Sequence, residues 1–305
     1  MTNLDQAFIK AYQQQVADKS SPERIPLNEV SRLADAGVSE DGTSSMRLHR
    51  PIRDSVVPAP HVDFAKAYST EQVPSEEPFR PLLEVERFSL PTVCRQLYEA
   101  ASAELNMLAD ALAHESSQGL KVLAIDGYSA GEGTTTLSLC LADRLSQLGI
   151  KVVVADANLD DPQVASRLGL NVQTGWEDVL RDNLPLEEVV IEASDGPMAV
   201  LPLREPFSLT GGATEGLNDC MLRMATSIKK LRSGFSLVLI DMSPLENPGA
   251  FDCLLPSGFG TQLDAILLTH NVRATPHDRI AELQRQLRAA GVAQAGIVQT
   301  FVPAA

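Results

Sequence analysis

No apolar run in the chain approaches the ~18–20 residues that a membrane-spanning helix needs, so no span of its own is expected. The first residues lack a basic patch followed by an apolar stretch, and no secretory signal is expected either. Any link to a membrane should therefore run through a partner. Cysteine is scarce: Cys94, Cys140, Cys220 and Cys253 stand far apart, form no CxxC pair and lie mostly in apolar runs. Buried free thiols in a reducing cytoplasm are the expectation. Positive charge is also short, with 25 Lys and Arg against 40 Asp and Glu and a net charge of -15. The deficit is uneven: residues 1–80 hold 12 acidic and 9 basic side chains, residues 81–305 hold 28 and 16. The acidic part is the part expected to fold, which argues against a direct, sequence-independent contact with nucleic acid.

What remains is enough for a substantial core: 305 residues, 44% of them apolar. Residues 3–17 place Leu4, Phe8, Ala11, Tyr12 and Val16 on one helical face, with Asn3 as the cap. This short amphipathic helix reads either as a frayed terminus or as a motif that docks on a partner. From Ser20 to about Pro81 the sequence is rich in Pro, Ser, Asp and Glu without periodicity, and a disordered linker is expected. The organisation is thus an N-terminal arm over residues 1–85 and one domain over residues 86–305.

Within that domain a helix over about 91–114 leads into the apolar run Lys121–Asp126, and strands and helices then alternate. Further strands are expected at Lys151–Ala155, Met198–Leu203, Leu237–Asp241, Ala265–Thr269 and Gly296–Val302. Helices fall over about 134–148, along Leu217 to Leu231, and along Ile280 to Leu287. Short apolar strands separated by helices predict an α/β fold, a mostly parallel sheet with helices on both faces. No internal repeat is present.

At the end of the first long strand stands GYSAGEGTTT, residues 127–136. A parallel sheet places ligands at the carboxyl ends of its strands, so this is the prime site. Glycines there let successive N–H groups converge on an anion at a helix N-terminus, and a hydroxyl at the loop's end can hold Mg²⁺. Gly131, Gly133 and Thr135 supply those parts. The usual pattern puts Lys before that hydroxyl to reach the outer phosphates, and Thr134 occupies the slot. The same residues also spell Gly-x-Ser-x-Gly, the elbow of a serine hydrolase, with Ser129 as nucleophile and Asp241 with His270 or His277 following in order. That fold requires strands before the elbow, which residues 20–120 do not offer.

Two other strand ends bear on the choice. One reads Asp156-Ala-Asn158-Leu-Asp160-Asp161-Pro162 and the other Asp241-Met-Ser-Pro244. An Asp beside a phosphate loop can hold the water shell of Mg²⁺; a strand-end Asp can equally well cap the next turn.

Taken together, KVLAIDGYSAGEGTTTLSLCLADRLSQLGIKVVVADANLDDPQVASRLGL, FSLVLIDMSPL and LDAILLTHNVRATPHD resemble the bacterial tyrosine-kinase family of capsule and exopolysaccharide synthesis, and more broadly the MinD/ParA-type P-loop ATPases, from about Leu120 to the C-terminus. The resemblance implies a P-loop NTPase fold that binds ATP with Mg²⁺ through Ser129, Ala130, Gly131, Glu132, Gly133, Thr134, Thr135 and Thr136. It implies Thr135, Asp241 and Asp156 near the metal, and Asp156 with the degenerate position Asn158 in catalysis. It also implies a cytoplasmic protein that controls polysaccharide synthesis or export through a membrane-bound partner. The departures fall on the chemistry. Thr134 replaces the lysine, Asn158 replaces a carboxylate, Asp160 and Asp161 replace two arginines, and no tyrosine follows Tyr128 to serve as a C-terminal phosphorylation cluster. The family's Arg-bearing oligomerisation motif is missing, which leaves homo-oligomerisation open. Arg204 and Arg273, each after a strand, are candidates to supply a cation. Weak nucleotide binding with little or no catalysis is the first expectation; an adaptor without ATPase activity and a partitioning ATPase are the alternatives.

Overall fold

The computed structural model describes residues 79–207, 214–247, 250–254 and 259–301. The expected N-terminal helix and nearly all of the linker lie outside the described residues.

Strand β1 (Leu83–Val85) precedes a 26-residue helix, α1 (Thr92–Ser117), which is bent at Ala101, where φ is -144° and ψ is 36°. Then come β2 (Val122–Gly127), α2 (Thr134–Gln147), β3 (Val152–Ala157) and the short helices α3 (Val164–Arg167) and α4 (Trp176–Asp182). Strands β4 (Ile191–Ala193) and β5 (Met198–Leu201) follow, and α5 (Thr214–Gly234) leads to β6 (Leu237–Met242). Helix α6 (Ala250–Leu254), β7 (Ala265–Asn271), α7 (His277–Ala289) and β8 (Gln294–Thr300) complete the described elements.

The eight strands form one sheet in the order β1-β4-β5-β3-β6-β2-β7-β8. Every pairing is parallel except β4 with β5. The central strands β2, β3 and β6 are buried along their whole length, as expected of a sheet covered on both faces.

Alternation along each strand divides the core in two. Leu123, Ile125, Val152, Val154, Leu237 and Leu239 face α1 and α2, where Leu105, Leu108, Leu137, Leu141 and Leu145 meet them. Ala124, Val153, Ala155, Val238 and Ile240 face the other way, toward Met224, Ile228 and Leu231 of α5 and Leu283 and Leu287 of α7. Residues 79–85 join the same body: Phe79 is buried, its ring 6.1 Å from that of Phe235, and β1 pairs with β4. Within residues 86–305 the long elements expected from periodicity are present; β1 and β4, three residues each, are too short to show any.

Candidate functional site

The parallel register carries the loop and the strand-end acids to one edge of the sheet. Asp241 lies opposite Asp156 on β3 and opposite Ile125 on β2, so Asp156 and Asp241 share the sheet face covered by α1 and α2. Asp126, one residue beyond Ile125, points to the opposite face. All three are fully buried.

The loop between β2 and α2 has the backbone of an anion cradle. Gly131 and Gly133 adopt φ of 83° and 90°, the left-handed region that other residues rarely enter. Gly133 is the N-cap of α2 and offers no side chain, so the N–H groups of the helix's first turn have no cap and converge at its positive end.

Around this cradle the protein has placed its own carboxylates. Glu132, 1% exposed, turns back beneath the loop. It accepts the N–H of Tyr128 at 2.9 Å on one oxygen and the hydroxyl of Thr275 on the other. Burial raises its pKa, against the pull of these donors. Gly127 makes the room: a Cβ there would lie 2.6 Å from a Glu132 oxygen and 2.7 Å from the Thr269 hydroxyl. Gly127→Ala is therefore expected to cost about 1–3 kcal/mol. Urea unfolding followed by the fluorescence of Trp176, the single and fully buried tryptophan, measures it; an unchanged midpoint would show that the glycine is dispensable.

A second carboxylate comes from the segment after β6. Glu246 accepts the Ser129 hydroxyl at 3.0 Å and the Ala130 N–H at 3.3 Å. The segment is zipped to the loop by backbone bonds from Leu245 N to Gly127 O and from Glu246 N to Tyr128 O, each 2.9 Å. Ser129 thus meets a carboxylate, while His270 is occupied elsewhere: its Nε2 lies 2.8 Å from the Thr275 carbonyl and its ring stacks edge-on with His277. Among the described residues no histidine is hydrogen-bonded to Ser129, so the elbow reading finds no base.

Thr134, in the lysine slot, pairs its hydroxyl with that of Thr269 at 3.0 Å, and Thr269 donates on to the Asp126 carbonyl. It faces the end of β7. On the other side of α2, Ser138 donates to Asp241 Oδ1 at 3.1 Å, and the Thr135 hydroxyl lies near enough to the same carboxylate to favour its charged form. Asp241 Oδ2 is buried without a partner. Burial lifts the Asp241 pKa from 3.8 to about 6, with the Thr135 and Ser138 hydroxyls and the charge of Arg167 opposing. Asp126 is raised well above 3.8, by burial first and then by Asp241 and Glu132; its Oδ2 is also unpartnered.

Both oxygens of Asp156 are engaged. Oδ1 accepts the Asn158 N–H at 3.1 Å, and Oδ2 accepts those of Gln163 and Val164 at 3.0 and 2.9 Å, which closes the turn into α3. Asn158 accepts the Ser243 hydroxyl and the Asp161 N–H, tying the turns after β3 and β6 together. The cation candidates differ in setting. Arg204 is held by Glu177, Asp178 and Glu205; Arg273 follows β7, where its N–H donates to Asn271 Oδ1. Arg167, which sequence reasoning missed, lies on α3 within electrostatic reach of Asp241, its Nε bonded to Gln163. Its position in a four-residue helix gave no signal. Among the described residues no trio of His, Cys, Asp or Glu side chains is grouped as a metal centre.

A parallel sheet with a glycine loop opening a helix at the end of a central strand defines a P-loop NTPase fold. Comparison with solved structures agrees. The VpsO kinase domain is 22% identical with a TM-score of 0.58, over 68% of this chain and 98% of that one. The BceF tyrosine kinase domain is 20% identical with a TM-score of 0.54, over 68% and 78%. The kinase domain of the Escherichia coli tyrosine kinase ETK is 20% identical with a TM-score of 0.52, over 68% and 74%. Within that fold, the family model for the cellulose biosynthesis protein BcsQ matches residues 120–255, from β2 to just past α6 and slightly under half of the chain. No curated protein matches the chain. No helix among the described residues is long and apolar enough to cross a membrane.

Proposed function

We propose that this chain binds a nucleotide weakly at residues 129–136, transfers its phosphoryl group slowly or not at all, and acts as a cytoplasmic regulator of exopolysaccharide synthesis through a membrane-bound partner. The BcsQ match and the likeness to bacterial kinase domains support the setting. The carrying observation is that the anion cradle is retained while Thr134, in the lysine slot, is bonded to Thr269. Thr135 and the unpartnered oxygen of Asp241 suit a hydrated Mg²⁺, which when bound would neutralise phosphate charge. Asp156 stands beside Asp241, and Arg273 remains a candidate contact for the nucleotide. Phosphoryl transfer depends on positive charge at the developing transition state, and the segments around the loop carry Asp160, Asp161 and Glu246.

Titration of the full-length chain with ATP and Mg²⁺, beside Thr134→Lys, tests this. Weak binding by the wild type is expected, tightened by about 10- to 150-fold in Thr134→Lys through one restored charge-assisted contact. Absence of binding by both at millimolar ATP would remove the nucleotide reading, and rapid hydrolysis by the wild type would remove the claim of slow chemistry. An adaptor that needs no nucleotide is the second reading, favoured by the carboxylates of Glu132 and Glu246 already seated on loop donors.

A further inference from the structure

The donors of the loop fall into two groups. Those at the start of α2, from Gly133 through the first turn, have no side-chain cap and face outward from the helix end. Those at the front of the loop, the Ala130 N–H and the Ser129 hydroxyl, already donate to Glu246 at 3.3 and 3.0 Å. In a phosphate loop the backbone cradle holds the inner phosphates and the lysine reaches the outer one. Here the inner cradle is intact, the lysine is absent, and a carboxylate is seated on the front of the loop.

Glu246 is not placed there by a freely rotating arm. Two backbone bonds fix residues 245 and 246 to the loop, and the Asn247 side chain donates to Asp160 at 2.8 Å, so the segment bridges the loop and the turn after β3. A phosphate extending past the cradle would have to displace the Glu246 carboxylate from its donors and then remain beside its charge. A phosphate ending at the cradle would meet the uncapped N–H groups of the first turn of α2 and leave Glu246 on its donors. Asp241 Oδ2, buried and without a hydrogen-bond partner on the α2 side of the site, is an acceptor that a cation accompanying either nucleotide would use.

We infer that the loop is selective for a nucleoside diphosphate, the Glu246 carboxylate standing where the outer phosphate of a triphosphate would lie. This rests on the nucleotide reading above and names the ligand class of the same site. The selectivity comes from a residue of the segment after β6, 117 positions along the chain from the serine it contacts.

Calorimetric titration of the full-length chain with ADP and with ATP, both in excess Mg²⁺, tests the inference on the wild type, Glu246→Gln and Glu246→Ala. Glu246 is exposed, so neither substitution threatens the core. The wild type is expected to bind ADP about tenfold or more tightly than ATP. Glu246→Ala is expected to tighten ATP by about the same factor and to leave ADP nearly unchanged, with Glu246→Gln between. Equal affinities in the wild type, or equal tightening of both nucleotides in Glu246→Ala, would overturn the inference and leave the nucleotide site standing. Failure of both nucleotides to bind any of the three proteins would overturn the nucleotide reading, and this inference with it.

Discussion

Asp156→Ala is expected to destabilise the protein by about 3–5 kcal/mol. The carboxylate is fully buried and accepts three backbone N–H groups within the turn that joins β3 to α3. A hydrogen bond to a charged group contributes about 1.5–3 kcal/mol, and a buried donor left without a partner costs more than its bond was worth. The three do not add in full. The Asn158 and Gln163 N–H groups are only partly buried and water can reach them, and burial with Asp241 alongside raises the Asp156 pKa, so the bonds fall short of the full value for a charged acceptor. Asp156→Asn keeps one acceptor oxygen in place and should lose about half as much. Urea unfolding of both variants, read from Trp176 fluorescence, measures the effect. A midpoint for Asp156→Ala within error of the wild type would show that the turn holds without its clamp, and would leave Asp156 free for the metal-side role.

That residue shows where a sequence is ambiguous. A strand-end aspartate before a turn has the same pattern whether it faces a metal or caps the following helix, because both uses need a carboxylate at the same position. The distinction lies in which N–H groups curl back to it, and that depends on φ and ψ over residues 157–164. Glu132 is a similar case. It stands just before the helix among the loop residues implied to bind nucleotide, yet it folds inward under the loop because Gly127 has no Cβ to exclude it. The glycine was visible in the motif; the reason for it was not.

The long elements were legible because their burial is periodic. Leu137, Leu141 and Leu145 of α2 and Met221, Met224, Ile228 and Leu231 of α5 all face the core as their spacing predicts. Strands β1 and β4 carry three residues each at or near the sheet edge and leave no pattern to read. The contact of Glu246 with the loop is non-local and joins an exposed residue to another exposed residue, so no periodicity or composition announces it. It follows from the register of β2 against β6, which sets the turns after both strands side by side.

The same register sets up the last expected result: at pH 7 and without ligand, Asp241→Asn should be more stable than the wild type by about 2–3 kcal/mol. Burial lifts the Asp241 pKa from 3.8 to about 6, despite the Thr135 and Ser138 hydroxyls and Arg167. Between those two values the folded protein holds a proton that the unfolded chain releases. The contribution to stability is therefore fully present below pH 3.8, declines as pH rises, and is lost above about 6, where a buried carboxylate must ionise. A displacement from 3.8 to about 6 corresponds to about 3 kcal/mol. Asparagine keeps an acceptor for Ser138 and removes the charge, so its advantage should be largest at neutral pH and close as pH falls toward 4. Asp126 and Asp156 shift in the same direction, both in part because of the Asp241 charge, so asparagine relieves them too and its advantage at neutral pH grows rather than cancels. Urea unfolding at neutral and at mildly acidic pH gives the difference directly. An advantage of the same size at both pH values would mean that ionisation of Asp241 is not its source. A wild type more stable than Asp241→Asn at pH 7 would mean that its hydrogen bonds to α2 outweigh its desolvation. If the expected sign holds, the chain keeps a destabilising charge at the strand end beside its loop, which only a cation or an anion-bound cation would offset.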